Sequence, residues 1–278
     1  MKLEVKRLDL LYPEAPGNKY FKLKYNLLKA KELGATTIVT LGGPFSNHLH
    51  ATAATCKQEG FKCVGLVHGT RPPKLSPTLK DCEDWGMELV FIERSLYAER
   101  ETEGFKHWVS GKFERSFLIP EGGNNFHGMN GCMEILNDHD KTFKTIAVSV
   151  GTGTTLAGVL SSSLETSKIL AFPALKDMEL SKRTERLLYW SFMDEGLAKG
   201  LMERVQWVWD YTFGGFAKTT PELEAFMHEK NQCGLPLDRV YTSKMIFGLE
   251  DMAKKGLIAE DERVLAIHTG GLQGNRQL

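Results

Sequence analysis

The 278-residue sequence lacks several features that would assign it to other classes of protein. No stretch approaches the ~20 consecutive apolar residues that a membrane-spanning helix needs. Thirty-five basic residues balance thirty-five acidic ones, and this zero net charge favours neither nucleic acid nor an anionic membrane surface as a partner. Low-complexity tracts and internal repeats are also absent. We therefore predict a soluble cytoplasmic protein with no nucleic-acid or membrane partner.

Cysteine is scarce, and its spacing does not suggest a metal or redox motif. The five cysteines form no C-x-x-C pair and their number is odd, which is typical of reduced, mostly buried thiols. His48 and His50 are close in sequence, but no third histidine or cysteine lies at ligand spacing from them. The sequence therefore predicts no metal site.

Short β-branched segments alternate with helical patterns along the whole chain. The clearest predicted strands are residues 36–41, 61–67, 87–92, 144–150 and 263–268. A further short strand is predicted at residues 8–12, before Pro13 and Pro16 interrupt the pattern. Strands that alternate with helices predict a mostly parallel, doubly wound α/β sheet, in which ligands bind at the carboxyl ends of the strands.

The tripeptide Gly17-Asn18-Lys19 precedes a predicted helix. A lysine after a turn-prone pair suits a reactive amine, because a crowded ammonium group loses its proton more easily and only the neutral amine attacks a carbonyl. The same residues also fit an ordinary N-cap followed by a solvated lysine. The tripeptide alone leaves both interpretations open.

A glycine- and threonine-rich loop, Gly151-Thr152-Gly153-Thr154-Thr155, joins a predicted strand to a predicted helix. Converging backbone N–H groups and the positive end of the helix make such a loop a phosphate site. The loop has neither the Gly-Lys-Ser/Thr of triphosphate-binding loops nor the G-x-G-x-x-G order of dinucleotide-binding loops, so a small phosphate monoester fits it better. The alternative is a tight turn without a ligand.

Polar residues also follow other predicted strands. Ser46 and Asn47 can cap a helix, and they can equally bind a carboxylate or a phenolate there. Tyr241 and Thr269 lie in loops of the last third, where each also fits a packing or turn role. An amine, a phosphate site, an amide, an aromatic ring and a hydroxyl are together what pyridoxal phosphate requires of a protein.

These segments, in this order, resemble the 1-aminocyclopropane-1-carboxylate deaminase and D-cysteine desulfhydrase family. The matching segments cover nearly the whole chain and are GNK (17–19), GGPFSNH (42–48), PEGG (120–123), GTTLAG (153–158), YTSK (241–244) and HTGG (268–271). The resemblance implies pyridoxal 5'-phosphate as cofactor, a small amino-acid substrate, a homodimer, and the tryptophan-synthase-β-like fold (fold type II). In that fold two doubly wound α/β lobes enclose the cofactor. We expect a larger, cofactor-binding lobe from residues 1–21 and 123–278, and a smaller lobe from residues 22–122.

The resemblance also implies which residues bind the cofactor. Lys19 would form the covalent bond to its aldehyde and would carry the proton of the substrate Cα. Asn47 would bind the ring oxygen, and Gly151 to Thr155 would bind the phosphate. Tyr241 would stack near the ring, and Thr269 would meet the ring nitrogen.

On the substrate side, the resemblance implies a further set of contacts. Ser46 would bind the substrate carboxylate or relay a proton, beside Asn47 and His48. Tyr241 would also face the substrate and take part in catalysis. Phe216 would lie near the substrate, at a position where relatives often carry a tyrosine.

The group opposite the ring nitrogen separates two reactions. A carboxylate keeps that nitrogen protonated and the ring strongly electron-withdrawing, whereas a hydroxyl such as that of Thr269 cannot hold the charge and suits β-elimination better. At the first C-terminal motif, the deaminases of the family that this chain resembles carry Tyr-Glu, whereas this chain has Tyr241-Thr242. We therefore expect a β-eliminating lyase that acts on a D-amino acid such as D-cysteine, giving pyruvate, ammonia and sulfide.

Two alternatives stay open. The first is deamination of 1-aminocyclopropane-1-carboxylate, which Thr242 and Thr269 disfavour. The second belongs to another class, a pyridoxal-phosphate-binding protein with little catalysis. It is suggested by Phe216 and by the short segment before Lys6-Arg7.

Overall fold

The computed structural model describes residues 1–11 and 17–276. In these ranges nine β-strands and eleven α-helices follow one another along the chain. The strands are β1 (Lys2–Arg7), β2 (Thr37–Gly42), β3 (Lys62–His68), β4 (Met87–Ile92), β5 (Ser116–Ile119), β6 (Thr145–Val150), β7 (Lys168–Pro173), β8 (Val205–Trp207) and β9 (Arg263–His268). The helices are α1 (Asn18–Glu32), α2 (Asn47–Glu59), α3 (Pro77–Asp84), α4 (Arg94–Ala98), α5 (Glu103–Lys112), α6 (Phe126–Cys132), α7 (Thr154–Ser162), α8 (Leu180–Phe192), α9 (Glu195–Glu203), α10 (Pro221–Gln232) and α11 (Thr242–Lys254).

The strands form two separate sheets. One has five strands in the order β1-β9-β6-β7-β8, and the other has four in the order β4-β3-β2-β5. Every pairing between described strands is parallel. Parallel neighbours need crossover connections, and the helices that make them cover the faces of the sheets. The predicted parallel α/β architecture is confirmed.

Apolar residues pack against both faces of each sheet. Strand β6 is buried throughout, and its side chains alternate: Ile146 and Val148 join one apolar cluster while Ala147 joins another. In strand β2, likewise, the neighbours Ile38 and Val39 belong to different clusters. Because successive side chains of a strand point to opposite faces, each sheet is a layer between two apolar cores.

Helix α1 packs into the cores of both sheets. Phe21 belongs to the cluster around β6, whereas Leu23, Leu27 and Ala30 belong to the cluster around β2. The first turn of this helix therefore lies where the two sets of elements meet. The expected lobe boundary between residues 21 and 22 falls inside this helix, and the exact lobe bounds stay a prediction.

The strand predicted at residues 8–12 is wrong where the chain is described. Leu8–Leu10 forms a 3-10 helical turn, and the strand lies just before it, in β1, paired with β9. This is an edge strand in which Leu3 and Val5 are half-buried and the charged Lys2 and Glu4 are exposed. Charged residues alternate with Leu3 and Val5, which suits a strand at a sheet edge. Tyr12 and the two prolines predicted to end the strand, Pro13 and Pro16, lie outside the described residues.

Three further findings bear on the predicted class. No helix within residues 1–11 and 17–276 has both the length and the apolarity to cross a membrane. In the same ranges, no three His, Cys, Asp or Glu side chains group in a way that could hold a metal ion. The five cysteines are free thiols, and all but Cys233 are buried.

Candidate functional site

The loops with the predicted site residues leave the carboxyl ends of parallel strands. Strand β2 ends just before the loop with Ser46, β6 ends at the residue before Gly151, and β9 ends at the residue before Thr269. Lys19 joins them from the first turn of α1. The structure thus brings residues distant in sequence to one region between the two sheets. This is expected, because the carboxyl ends of parallel strands lie along one edge of a sheet.

The amine of Lys19 is anchored beside the loop that begins at Gly151. Its Nζ donates a hydrogen bond to Asn18 Oδ1 at 2.8 Å, and Asn18 Nδ2 donates to Thr155 Oγ1 at 2.8 Å. Burial, aided by the positive charge of Lys22, lowers the pKa of Lys19 to about 7. At neutral pH this amine is therefore about half neutral, which is the form that attacks an aldehyde.

Gly17 places the start of α1 directly on the loop after β9. Its φ of 79° is in the left-handed region, and a Cβ atom placed there would overlap the carbonyl oxygen of Thr269. The N–H of Asn18 donates to that same carbonyl at 3.2 Å. Because only glycine allows this approach, Gly17 fixes the Lys19 backbone next to Thr269.

The loop from Gly151 to Thr155 presents an uncapped helix start. Gly153 is the N-cap residue of α7, with φ of 91°, and it supplies no capping side chain. The first N–H groups of α7 therefore have no acceptor within the helix. These groups and the positive end of the helix suit an anion, and phosphate binding by this loop stays a prediction.

The threonine hydroxyls of this loop bond mainly to protein groups. Thr154 Oγ1 donates to Asn124 Oδ1 at 2.9 Å, and it lies 3.0 Å from Thr152 Oγ1. Because the Thr154 proton is committed to Asn124, Thr152 is the donor in the second bond. Thr155 Oγ1 accepts from Asn18. Backbone N–H groups are thus the main donors left for a phosphate.

Lys22 is a site residue that the sequence reasoning missed. Its side chain is only 4% exposed, and its Nζ donates to the carbonyl of Gly122 at 3.0 Å. A Cβ atom placed on Gly122 would lie 2.8 Å from Thr152 Cγ2, so Lys22 and the loop of residues 151–155 both border Gly122. Burial lowers the pKa of Lys22, because the loss of water disfavours the charged amine. Its spacing of three from Lys19, which puts both on one face of the helix, was the available signal.

Asn47 faces the same region from the start of α2. Its Oδ1 accepts a hydrogen bond from Gln273 Nε2 at 2.7 Å, and its Nδ2 lies 2.6 Å from a Cβ atom placed on Gly271. Nδ2 donates to none of the described residues, so it can donate to a ligand oxygen. Ser46 Oγ accepts from the N–H of Leu49 at 3.2 Å as the N-cap of α2, and this bond does not use its hydroxyl proton.

Tyr241 lies against Gly151, the first residue of the loop of residues 151–155. A Cβ atom placed on Gly151 would lie 3.1 Å from both Cε1 and the hydroxyl oxygen of Tyr241. Burial raises the pKa of Tyr241, so its phenol is protonated at neutral pH. The ring of Phe216 meets the Tyr241 ring edge-on with centroids 6.2 Å apart, and 54% of Phe216 is exposed. These two rings are therefore in contact at an open side of the region.

A buried carboxylate in this region, Asp238, is fully occupied by hydrogen bonds. Its Oδ1 accepts from Thr242 N at 2.8 Å and Thr242 Oγ1 at 2.7 Å, and its Oδ2 accepts from Val240 N at 2.9 Å and Tyr241 N at 3.0 Å. Four donors fill the capacity of one carboxylate. The hydroxyl of Thr269, in contrast, bonds to none of the residues that the structure describes, although Thr269 is buried.

The structure places His48 in the packed interior. It is 3% exposed, and its Nε2 lies 2.9 Å from Thr40 Oγ1, which itself donates to the carbonyl of Ile119 at 2.9 Å. His48 must therefore donate from Nε2, and its buried Nδ1 has no partner among the described residues. Burial lowers the pKa of His48 well below its ordinary value, so the ring is neutral. Its predicted contact with a substrate stays a prediction.

The donor set fits pyridoxal phosphate. It supplies a partly neutral amine for the aldehyde, and an uncapped helix start with a buried lysine for the phosphate. It also supplies an amide for the ring oxygen and a hydroxyl, that of Thr269, next to the Lys19 backbone.

Comparisons with known proteins agree with this chemistry. A family model described as "Pyridoxal-phosphate dependent enzyme" matches residues 2–270. A Pyrococcus abyssi protein provisionally named 1-aminocyclopropane-1-carboxylate deaminase is 29% identical, over 97% of this chain and 84% of that protein. The mitochondrial bifunctional D-cysteine desulfhydrase/1-aminocyclopropane-1-carboxylate deaminase of Arabidopsis thaliana is 28% identical, over 98% of this chain and 73% of that protein.

A solved structure of an ACC deaminase homologue superposes with a TM-score of 0.81 at 27% identity, covering 98% of this chain and 85% of that one. This similarity and the parallel sheets confirm the predicted fold type II. The predicted cofactor, pyridoxal phosphate, is confirmed by the family. The roles of the individual residues remain predictions. The chain belongs to the family of pyridoxal-phosphate dependent enzymes.

Proposed function

We propose that this enzyme is a lyase that removes the β substituent of a D-amino acid such as D-cysteine. With D-cysteine and water the products are pyruvate, ammonia and sulfide. The observation that carries this choice is the state of Asp238, whose oxygens are all occupied by donors from residues 240–242. Neither Asp238 nor Thr242 thus supplies a free carboxylate for the ring nitrogen, and the hydroxyl of Thr269 is left to meet it.

Lys19 would carry out the proton transfer. When bound, the cofactor supplies an electron-withdrawing ring that stabilises negative charge at the substrate Cα. Lys19 would hold the cofactor through its aldehyde and, once released by the substrate, take the Cα proton on Nζ. Its pKa of about 7 lets this amine both lose and accept a proton at neutral pH.

The other residues would hold the cofactor and orient the substrate. The N–H groups at the start of α7 and the ammonium of Lys22 would bind the phosphate, and Asn47 Nδ2 would bind the ring oxygen. The Ser46 hydroxyl, at the positive end of α2, would donate to the substrate carboxylate. The protonated hydroxyl of Tyr241 would stand on the substrate side and could donate to the departing sulfur.

Deamination of 1-aminocyclopropane-1-carboxylate is the second candidate function. The names of the similar proteins from Pyrococcus abyssi and Arabidopsis thaliana both include this activity. Opening the cyclopropane ring needs a stronger electron sink than elimination of a good leaving group does. The occupied carboxylate of Asp238 makes this reaction the less favoured one.

A product assay separates the two functions. The purified enzyme loaded with pyridoxal phosphate is incubated with D-cysteine, L-cysteine or 1-aminocyclopropane-1-carboxylate, and sulfide, pyruvate and 2-oxobutyrate are measured. We expect equal amounts of sulfide and pyruvate from D-cysteine only, and no release by Lys19→Ala. Formation of 2-oxobutyrate without sulfide would establish the second function instead. Absence of all three products would contradict both.

We propose in addition that the enzyme is a cytoplasmic homodimer. The relevant measurement is sedimentation equilibrium of the purified protein. A mass twice that of the 31.2 kDa chain is expected, and a mass of one chain at micromolar concentration would contradict the proposal.

A further inference from the structure

Lys244 is a buried lysine that forms no salt bridge with the described residues, although the negative charge of Asp238 favours its ammonium form. It lies in the first turn of α11 and is 1% exposed. A cation is costly in such a place, since burial removes its water and the adjacent helix end is itself positive. The charge therefore needs compensation from other groups.

Three backbone carbonyls supply that compensation. Lys244 Nζ donates to the carbonyl oxygens of Ala174 at 3.1 Å, Thr212 at 2.9 Å and Gly215 at 2.6 Å. Three donated bonds use every proton of an ammonium group, so this geometry belongs to the charged lysine. Ala174 follows β7, whereas Thr212 and Gly215 lie in the loop between β8 and α10. A single ammonium group thus joins α11 to two other segments.

The loop held by Lys244 has an unusual backbone. Phe213, Gly214, Gly215 and Ala217 all have positive φ, at 48°, 84°, 123° and 56°. Phe213 and Ala217 are not glycines, and such conformations persist only where the surroundings impose them. Two of the three carbonyls bound by Lys244 come from this loop. The loop also carries the aromatic ring that contacts Tyr241.

We propose that Lys244 is a positioning residue, an internal cation that sets the conformation of residues 212–217 and so places Phe216 against Tyr241 on the substrate side. Lys244 itself touches neither substrate nor cofactor. The substrate-side assignment rests on the proposed function, whereas the binding of the loop by the ammonium group does not. The two can therefore be tested apart.

Limited proteolysis tests the loop without any assay of activity. Lys218 is exposed at the end of the loop, and trypsin cleavage after it reports loosening. Lys244→Met keeps the length of the side chain and removes the charge, and Lys254→Met, on the exposed side of the same helix, is the matched control. We expect cleavage at Lys218 at least about tenfold faster in Lys244→Met, since several bonds to a charged donor are lost. Equal rates in wild type and both variants would overturn the proposal.

Kinetics then tests the substrate side. We expect Lys244→Met to raise KM for D-cysteine about tenfold while kcat changes less than about threefold and pyridoxal phosphate binds as in wild type. Weakened cofactor binding with an unchanged KM would contradict the positioning role. If the wild-type enzyme does not act on D-cysteine, the proposed function fails, but the proteolysis result still decides the role of Lys244.

Chemical rescue covers the case in which Lys244→Met does not fold. Lys244→Ala leaves the three carbonyls around a space that a small cation can enter. We expect ammonium or methylammonium chloride to slow the cleavage of this variant after Lys218, and tetramethylammonium chloride at the same ionic strength to have no such effect. Wild type should respond to none of these salts. Equal protection by all of them would show a general salt effect and contradict a specific cation site.

Discussion

Replacing Lys22 by methionine tests how the site sets the reactivity of Lys19. Burial is the largest cause of the low pKa of Lys19, about 7, and the positive charge of Lys22 is the next. An amine with this pKa is about half neutral at pH 7, whereas at the ordinary value of 10.5 about one molecule in three thousand is neutral. The environment of Lys19 therefore raises the reactive fraction by about three orders of magnitude.

Lys22→Met removes the neighbouring charge and keeps most of the apolar stem. We expect the pKa of Lys19 to rise by roughly one unit, the low end of the usual effect of a nearby like charge. The neutral fraction at pH 7 then falls from about a half to about a tenth, which is a fivefold loss. Above about pH 10 the two proteins should react alike, because both amines are then neutral.

Competitive labelling measures this change directly. The protein without cofactor is treated with a trace of acetic anhydride between pH 5 and 11, and acetylation of Lys19 is quantified by mass spectrometry. Omitting the cofactor removes any effect of Lys22 on phosphate binding. Lys31→Met, at an exposed position of the same helix, is the control and should leave the labelling curve unchanged. A curve for Lys22→Met that coincides with wild type would show that burial alone lowers the pKa.

Three further predictions follow from the same geometry. Gly153→Ala should raise the Kd for pyridoxal phosphate at least about tenfold in a fluorescence titration, because Gly153 has φ of 91° and a Cβ atom would collide with Thr184. Gln273→Leu should weaken cofactor binding by a smaller factor, about threefold, because it frees the Asn47 amide to rotate without removing it. For the cofactor-free protein, Lys19 makes unfolding free energy rise with pH between about 7 and 10.5, since the unfolded chain keeps a proton that the folded protein has lost. In urea titrations, the increase in unfolding free energy over this pH range should be smaller by roughly 2–4 kcal/mol in Lys19→Met than in wild type. An equal increase in both proteins would contradict the low pKa of Lys19.

Much of the architecture could be predicted because parallel sheets leave a simple pattern. Central strands such as β2 are buried along their whole length and read as continuous apolar, β-branched runs. The ligand region could be located for the same reason, since the ends of parallel strands meet. Strand β1 could not be predicted in this way, because it lies at a sheet edge and has only two apolar residues among charged ones.

Lys22 and Asp238 could not be predicted from the sequence for a different reason. Lys22 lies in a helix that also carries a partly exposed lysine at position 29 and an exposed one at position 31, and composition does not distinguish a buried lysine from these. Asp238 precedes α11 in the manner of an ordinary helix cap. What gives either residue a role is its closeness to groups far away in sequence, and that follows only from the packing of the two sheets.

The hydrogen bonds that Asp238 accepts at the start of α11 bear on which reaction we propose. A buried carboxylate is stable there because three backbone N–H groups and the Thr242 hydroxyl bind it. In the proposed function the same bonds keep Asp238 from meeting the ring nitrogen as a free base. Its negative charge nevertheless offsets a small part of the lowering of the Lys19 pKa. A glutamate at position 242 would lose the hydrogen bond that the Thr242 hydroxyl donates to Asp238 Oδ1. Thr242 thus completes the hydrogen bonds of Asp238. In the proposed function the ring nitrogen then meets a neutral partner, and this favours elimination over reactions that need a protonated ring.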